Sequence, residues 1–123
     1  MTLAGLNILV VEDEPIIALT VEDILCDLGA SAHFASSLEA AHDHLDQTQF
    51  DAAILDVNIR GDKSYPLAQR LAEQRTPFIF ATGYGDALHP PEFADRPTVA
   101  KPYRPEDIVQ ALNAARSGNG APG

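Results

Sequence analysis

The sequence predicts an α/β fold in which a parallel sheet is covered by helices on both faces. Three observations carry that expectation. Strand-like and helix-like segments alternate along the chain, the pattern of repeated β-α units. The strand-like runs are continuously apolar rather than alternating, as strands buried on both faces are. Four of them also end in polar chemistry: Glu12-Asp13-Glu14 after Ile8–Val11, Asp56 after Ala52–Leu55, Thr82 after Phe78–Ala81, and Lys101 after Thr98–Ala100. The carboxyl ends of strands in an open parallel sheet share one edge, where ligands bind. These side chains are therefore expected to converge.

The first strand is 7–11. A helix begins near Asp13, with Pro15 in the first turn, where its missing N–H costs nothing. Ile17, Val21, Ile24, Leu25 and Leu28 recur at helical spacing, and Gly29 stops the helix. Cys26 falls in the same apolar pattern and is expected to be a buried core thiol. A short strand covers 31–35. Ser36-Ser37-Leu38-Glu39 reads as a capping box opening a helix to about Gln47, with Leu38, Ala41 and Leu45 inward.

The third strand is 51–55, followed by a loop over Asn58–Lys63 and a helix over about 65–75 carrying Leu67, Ala68 and Leu71. The fourth strand is 77–81 and the fifth 97–100, with Phe78 and Phe80 in the core. Between Thr82 and Lys101, two glycines favour turns and Pro90-Pro91 forbids a continuous helix. That leaves a short or degenerate fourth helix around 91–95. Pro105 opens the last helix, where Glu106 and Asp107 suit the first turn, and Ile108, Ala111, Leu112 and Ala115 form its apolar stripe. One domain is expected over 1–117, with a flexible tail over 118–123.

At 123 residues and 46% hydrophobic content, the chain can bury one sizeable core. A formal net charge of −10 argues against a nucleic-acid-binding surface. The single cysteine excludes an intramolecular disulfide and a cysteine-based metal site. The N-terminal residues lack a basic region followed by a long apolar run, so neither a signal peptide nor a membrane span is expected, and a cytoplasmic protein follows. His42 and His44 are expected to be exposed on the second helix, and His33 and His89 to lie in or near loops. None has metal-ligand spacing with another.

A hard cation such as Mg²⁺ takes carboxylate and carbonyl oxygens. Glu12, Asp13 and Asp56 supply carboxylates from the ends of two strands, and the backbone carbonyl of Asn58 supplies a fourth oxygen. The cation relieves the mutual repulsion of the acids and offsets charge as a phosphoryl group approaches Asp56, the nucleophile that forms an acyl phosphate. Lys101 and the Thr82 hydroxyl hold the remaining phosphoryl oxygens, and phosphoryl transfer needs mainly such positioning. Singly, each residue has a plainer explanation: acids at a helix N-terminus, a loop aspartate, a turn threonine, a solvated lysine. Together, in this order and each closing a strand, they carry weight. The chain has only two lysines, Lys63 and Lys101.

That combination resembles the receiver domain of bacterial two-component response regulators. The resemblance spans about residues 5–117 through Val11-Glu12-Asp13-Glu14, Leu55-Asp56, Ala81-Thr82-Gly83 and Lys101-Pro102-Tyr103. It implies a sheet of order 2-1-3-4-5, with the site at the switch point between strands 1 and 3. It implies that Asp56 accepts phosphate from a histidine of a sensor kinase. Asp13 and Asp56 would bind Mg²⁺ directly and Glu12 through water, while Thr82 moves toward the phosphoryl group and Lys101 pairs with it. Lys101-Pro102 looks like the cis bond usual in the family. The chain would catalyse only its own phosphorylation and dephosphorylation.

A narrower similarity lies in Pro77-Phe78-Ile79-Phe80-Ala81-Thr82-Gly83-Tyr84-Gly85, which looks like the motif of the "FAT GUY" receivers. These are mostly single-domain regulators linked to stress signalling in alphaproteobacteria. Their partners are commonly kinases of the HWE or HisKA2 classes. A histidine phosphotransfer protein is a further candidate partner, and a monomer or weak dimer is expected. The implied signalling surface is formed by 83–96, the fifth strand and the last helix; kinase docking falls to the first helix and the loop after Asp56.

One position departs from the pattern. The usual switch aromatic, three residues before the lysine, is Thr98 here, and Tyr84 is the candidate substitute or gate. Tyr103 is expected to pack structurally. Two competing readings are a receiver-fold binding module that no longer uses phosphate and a small aspartate-nucleophile phosphatase. The intact acids, threonine and lysine argue against the first. Asn58, where such phosphatases place a second carboxylate, argues against the other.

Overall fold

The computed structural model describes residues 3–82, 97–100 and 104–120. Its elements, in chain order, are β1 (Asn7–Val11), α1 (Pro15–Asp27), β2 (Ser31–Ala35), α2 (Leu38–Gln47), β3 (Ala52–Asp56), β4 (Asn58–Ile59), β5 (Asp62–Lys63), α3 (Tyr65–Glu73), β6 (Phe78–Thr82), β7 (Thr98–Ala100) and α4 (Pro105–Gly120). Five strands form one all-parallel sheet in the order β2-β1-β3-β6-β7. Counting only these strands, this is the expected 2-1-3-4-5 order. The chain reverses direction across the sheet between β1 and β3, so a crevice opens above their carboxyl ends.

The continuous apolar runs are explained by two cores. Alternation along a strand sends successive side chains to opposite faces. Leu9, Val11, Ala53, Leu55, Phe78 and Phe80 pack on one face with Ala41 and Leu45 of α2 and Leu67, Ala68 and Leu71 of α3. Ile8, Val10, Ala52, Ile54, Ile79 and Ala81 pack on the other with Val21, Ile24 and Leu25 of α1 and Ile108, Ala111, Leu112 and Ala115 of α4. The stripes expected of the four helices are therefore the ones that the sheet buries.

The differences are local. Helix α1 starts at Pro15, two residues later than expected, because the chain bends at Asp13 and Glu14 is still extended; Glu14 is the N-cap and makes no side-chain cap. Cys26 is exposed rather than buried. The inward face of α1 is set by Val21, Ile24 and Leu25, and one further residue rotates the thiol away from the sheet toward the acidic side that carries Glu22 and Asp23. Ile16 and Leu19 are also exposed on α1, at 79% and 59%.

Helix α2 is capped by Ser37, not Ser36: its hydroxyl accepts from the Ala40 N–H at 3.1 Å. The third helical position is therefore Ala40, and Glu39 cannot complete the reciprocal box expected of Ser36. Ser37→Ala should lower stability by about 1 kcal/mol. Urea denaturation with an unchanged slope would show that; an unaltered midpoint would mean that water replaces the cap.

The described histidines, His33, His42 and His44, are less exposed than expected, and His89 lies outside the described residues. Both α2 histidines are half-buried. Arg70 of α3 donates to His42 Nδ1 at 2.9 Å while pairing with Asp46 at 2.6 Å, and His44 Nε2 donates to the Phe34 carbonyl at 3.0 Å. His33 lies inside β2, with its ring edge-on to Phe50 at 5.3 Å. The segment 58–63 is a hairpin rather than a loop, and α4 runs on to Gly120, past the expected boundary at 117. The expected fourth helix around 91–95 falls outside the described residues. Among the described residues, no helix is long and apolar enough to cross a membrane.

Candidate functional site

Strand register brings the acids together. Val10 pairs with Ile54 and Val11 with Leu55, so Glu12 and Asp56 come next on adjacent strands. By alternation they continue the side of the sheet taken by Val10 and Ile54. The β1–β2 ladder still holds Glu12, whose N–H donates to the Ala35 carbonyl at 3.0 Å. Asp13 is the first residue to leave the sheet. Ligand oxygens of Glu12, Asp13 and Asp56 all lie within 4.8 Å of one another. Glu12 and Asp56 are 4% and 7% exposed, and Asp13 is half-buried.

A backbone amide orients each carboxylate. Glu12 Oε2 accepts from the Glu14 N–H at 3.2 Å, Asp56 Oδ1 from the Asn58 N–H at 3.4 Å, and Asp13 Oδ2 from the Arg60 N–H at 2.8 Å. The donor set consists of hard oxygens only, from three acids in a partly buried notch. That composition fits Mg²⁺ or another hard divalent cation, which also keeps several waters.

Thr82 closes β6 beside the acids and is 6% exposed. Ala81, just before it, pairs with Asp56 across β3 and β6, and Thr82 itself pairs with Ala100 at the end of β7. The structure thus brings Glu12, Asp13, Asp56 and Thr82 to one edge of the sheet. Asn58 opens β4 two residues beyond Asp56. Lys101, the Lys101-Pro102 bond, Tyr84 and Tyr103 lie outside the described residues. Thr98, which stands where the family's switch aromatic is usual, is exposed on β7.

Arg60 is the residue that the sequence did not single out. It sits with Gly61 at the tip of the β4–β5 hairpin, where Asn58 pairs with Lys63 and Ile59 with Asp62. Both tip residues have positive φ, 52° and 87°, as a two-residue turn of the favoured hairpin type requires. Glycine bears this freely, but an arginine does so at a cost of about 1–2 kcal/mol. The hairpin is held down by Ile59, which is buried in the core, and by the Ser64 N–H donating to the Val57 carbonyl at 2.9 Å. A glycine at the second tip position was the only cue in the sequence.

Residues 8–113 match the family described as response regulator receiver domain. Among solved structures, the chain is similar to SdrG from Sphingomonas melonis Fr1, with 40% identity, a TM-score of 0.81, and coverage of 94% of this chain and 98% of that one. The BeF3-activated conformation of SdrG gives a TM-score of 0.76 at the same 40% identity, covering 92% and 98%. The PhyR stress response regulator shares the fold at 22% identity and a TM-score of 0.79, over 98% of this chain and 48% of that one. The transcriptional regulatory protein TdiR of Thauera aromatica is 28% identical over 117 residues, 89% of this chain. The chain spans 50% of the length of that curated relative.

Proposed function

Because the chain belongs to the response regulator receiver domain family, we propose that it is a phosphorylation switch with Asp56 as its phosphoacceptor. The observation that carries this reading is the convergence of Glu12, Asp13 and Asp56 within 4.8 Å at the ends of β1 and β3. Receiver domains interact with histidine kinases and other signalling proteins, and a sensor kinase phosphohistidine is the natural donor. An Asp56 oxygen attacks phosphorus, the P–N bond breaks, and its electron pair returns to the imidazole, which takes up a proton. Glu12, Asp13, Asp56 and the Asn58 carbonyl would hold Mg²⁺, which supplies charge neutralisation at the phosphoryl oxygens. The Thr82 hydroxyl donates to one phosphoryl oxygen and the Lys101 ammonium pairs with another. The chain itself turns over no external substrate.

The phosphoryl group adds charge at one point and shifts an equilibrium between two conformations. Tyr84 is the candidate reporter, since Thr98 leaves no aromatic on β7. The output is a protein–protein contact or onward transfer to a histidine phosphotransfer protein, from a cytoplasmic monomer or weak dimer. A stress-signalling role, with a kinase of the HWE or HisKA2 class, is supported by the motif at 77–85 and by the fold shared with a stress response regulator.

The test is incubation with Mg²⁺ and acetyl phosphate, followed by intact mass. The expected result is a gain of one phosphoryl group that hydroxylamine removes, as it does from acyl phosphates. No gain, together with amide spectra unmoved by beryllofluoride, would overturn the reading in favour of a phosphate-independent binding module.

A further inference from the structure

The Arg60 backbone N–H reaches Asp13 Oδ2 at 2.8 Å across 47 positions of sequence. The same residue's Nε donates to the Ser36 carbonyl at 2.9 Å, one residue before the cap of α2. One exposed arginine thus ties the hairpin tip both to an acid of the site and to the β2–α2 turn. Its backbone lies in the left-handed region, and its guanidinium is anchored to the Ser36 carbonyl.

We propose that Arg60 is a positioning residue for the cation site. Its amide occupies one oxygen of Asp13, fixes the carboxylate plane and leaves the other oxygen for the cation, while its side chain locks the amide in place. The inference rests on Asp13 being a cation ligand, as in the function proposed above. Partners that hydrogen-bond a ligating carboxylate set its orientation, and their loss typically weakens metal binding about 10–100-fold.

Electrostatics predicts the opposite sign. Arg60 is a positive charge near a cation site, so removing it by charge alone should tighten Mg²⁺ binding. A merely structural role for the hairpin would leave affinity unmoved once the protein is folded.

The experiment is Mg²⁺ titration of the full chain, followed by amide spectra, for wild type, Arg60→Ala, Arg60→Gly and Asp13→Asn. Arg60→Ala should weaken binding about tenfold and shift the Asp13 carboxyl carbon resonance in the metal-free protein. Arg60→Gly should lose less, because glycine accepts the left-handed backbone and keeps the amide near Asp13. Equal or tighter binding by Arg60→Ala, beside a wild type that binds and an Asp13→Asn variant that does not, would overturn the inference and leave the proposed function standing. A wild type that shows no Mg²⁺ binding would overturn both.

Discussion

Asp56→Asn is expected to abolish Mg²⁺-dependent modification by a small phosphodonor while leaving the protein folded. The amide oxygen carries no formal charge and is a poor nucleophile, so the attack on phosphorus has no substitute at this position. Where a covalent nucleophile has been removed from an enzyme, the rate has fallen on the order of 10⁶, which here means no detectable mass gain. The substitution is nearly isosteric, and Asp56 is the last residue of β3, paired with Ala81 through the backbone alone. The sheet is therefore undisturbed, and the Asn58 N–H can still donate to the side-chain oxygen. Cation binding should weaken by at least about tenfold, since even outer partners of ligating groups are worth that much. Asp62→Asn, at an exposed acid on the β4–β5 hairpin, is the control and should be modified like wild type. A persistent mass gain in Asp56→Asn would move the acceptor to another acid of the cluster, with the half-buried Asp13 first in line.

What made this site legible was interruption. Apolar runs as regular as Ile8–Val11 and Ala52–Leu55 stop abruptly at acids, and a parallel sheet turns that linear pattern into a spatial cluster. Register does the rest, placing Glu12 beside Asp56 without reference to any side-chain contact. The five sheet strands and the inward stripes of the helices were legible for the same reason, since burial on both faces leaves little sequence freedom. Features decided by a single residue's rotation or by a distant partner were hidden. Cys26 lies one position beyond Leu25 and points to solvent, although both residues are apolar. Ser36 and Ser37 offer the same hydroxyl, and only the point where β2 ends chooses between them. His42 gains its burial from Arg70, 28 positions away. The β4–β5 hairpin has two-residue strands, too short to show any periodicity, and an arginine where asparagine or glycine would announce the turn.

Phe80→Ala is expected to have the largest effect on stability. The ring is fully buried at the middle of β6, between Leu55 on β3 and Thr98 on β7 in the strand register. It meets Tyr65 of α3 edge-on at 5.6 Å and Phe78 edge-on at 5.5 Å. Truncation removes the buried apolar surface, breaks both aromatic contacts and leaves a cavity that a rigid sheet cannot collapse to fill. Such changes typically cost about 3–5 kcal/mol, against a total stability of about 5–15 kcal/mol for a domain. Urea denaturation should show a large fall in midpoint with little change in slope, because the surface exposed on unfolding is nearly the same. Ile16→Ala supplies the contrast: its side chain is 79% exposed, so its effect should stay within about 0.5 kcal/mol. A Phe80→Ala loss as small as that of Ile16→Ala would mean that α3 does not pack on β6. The damage should extend to the site as well, because Phe80 lies two residues before Thr82 on the same strand. If the end of β6 depends on this packing, Phe80→Ala should accept phosphate from a small donor more slowly even at temperatures where it remains folded. An unaltered rate in fully folded Phe80→Ala would show instead that backbone pairing with β3 and β7 suffices to hold Thr82 in place.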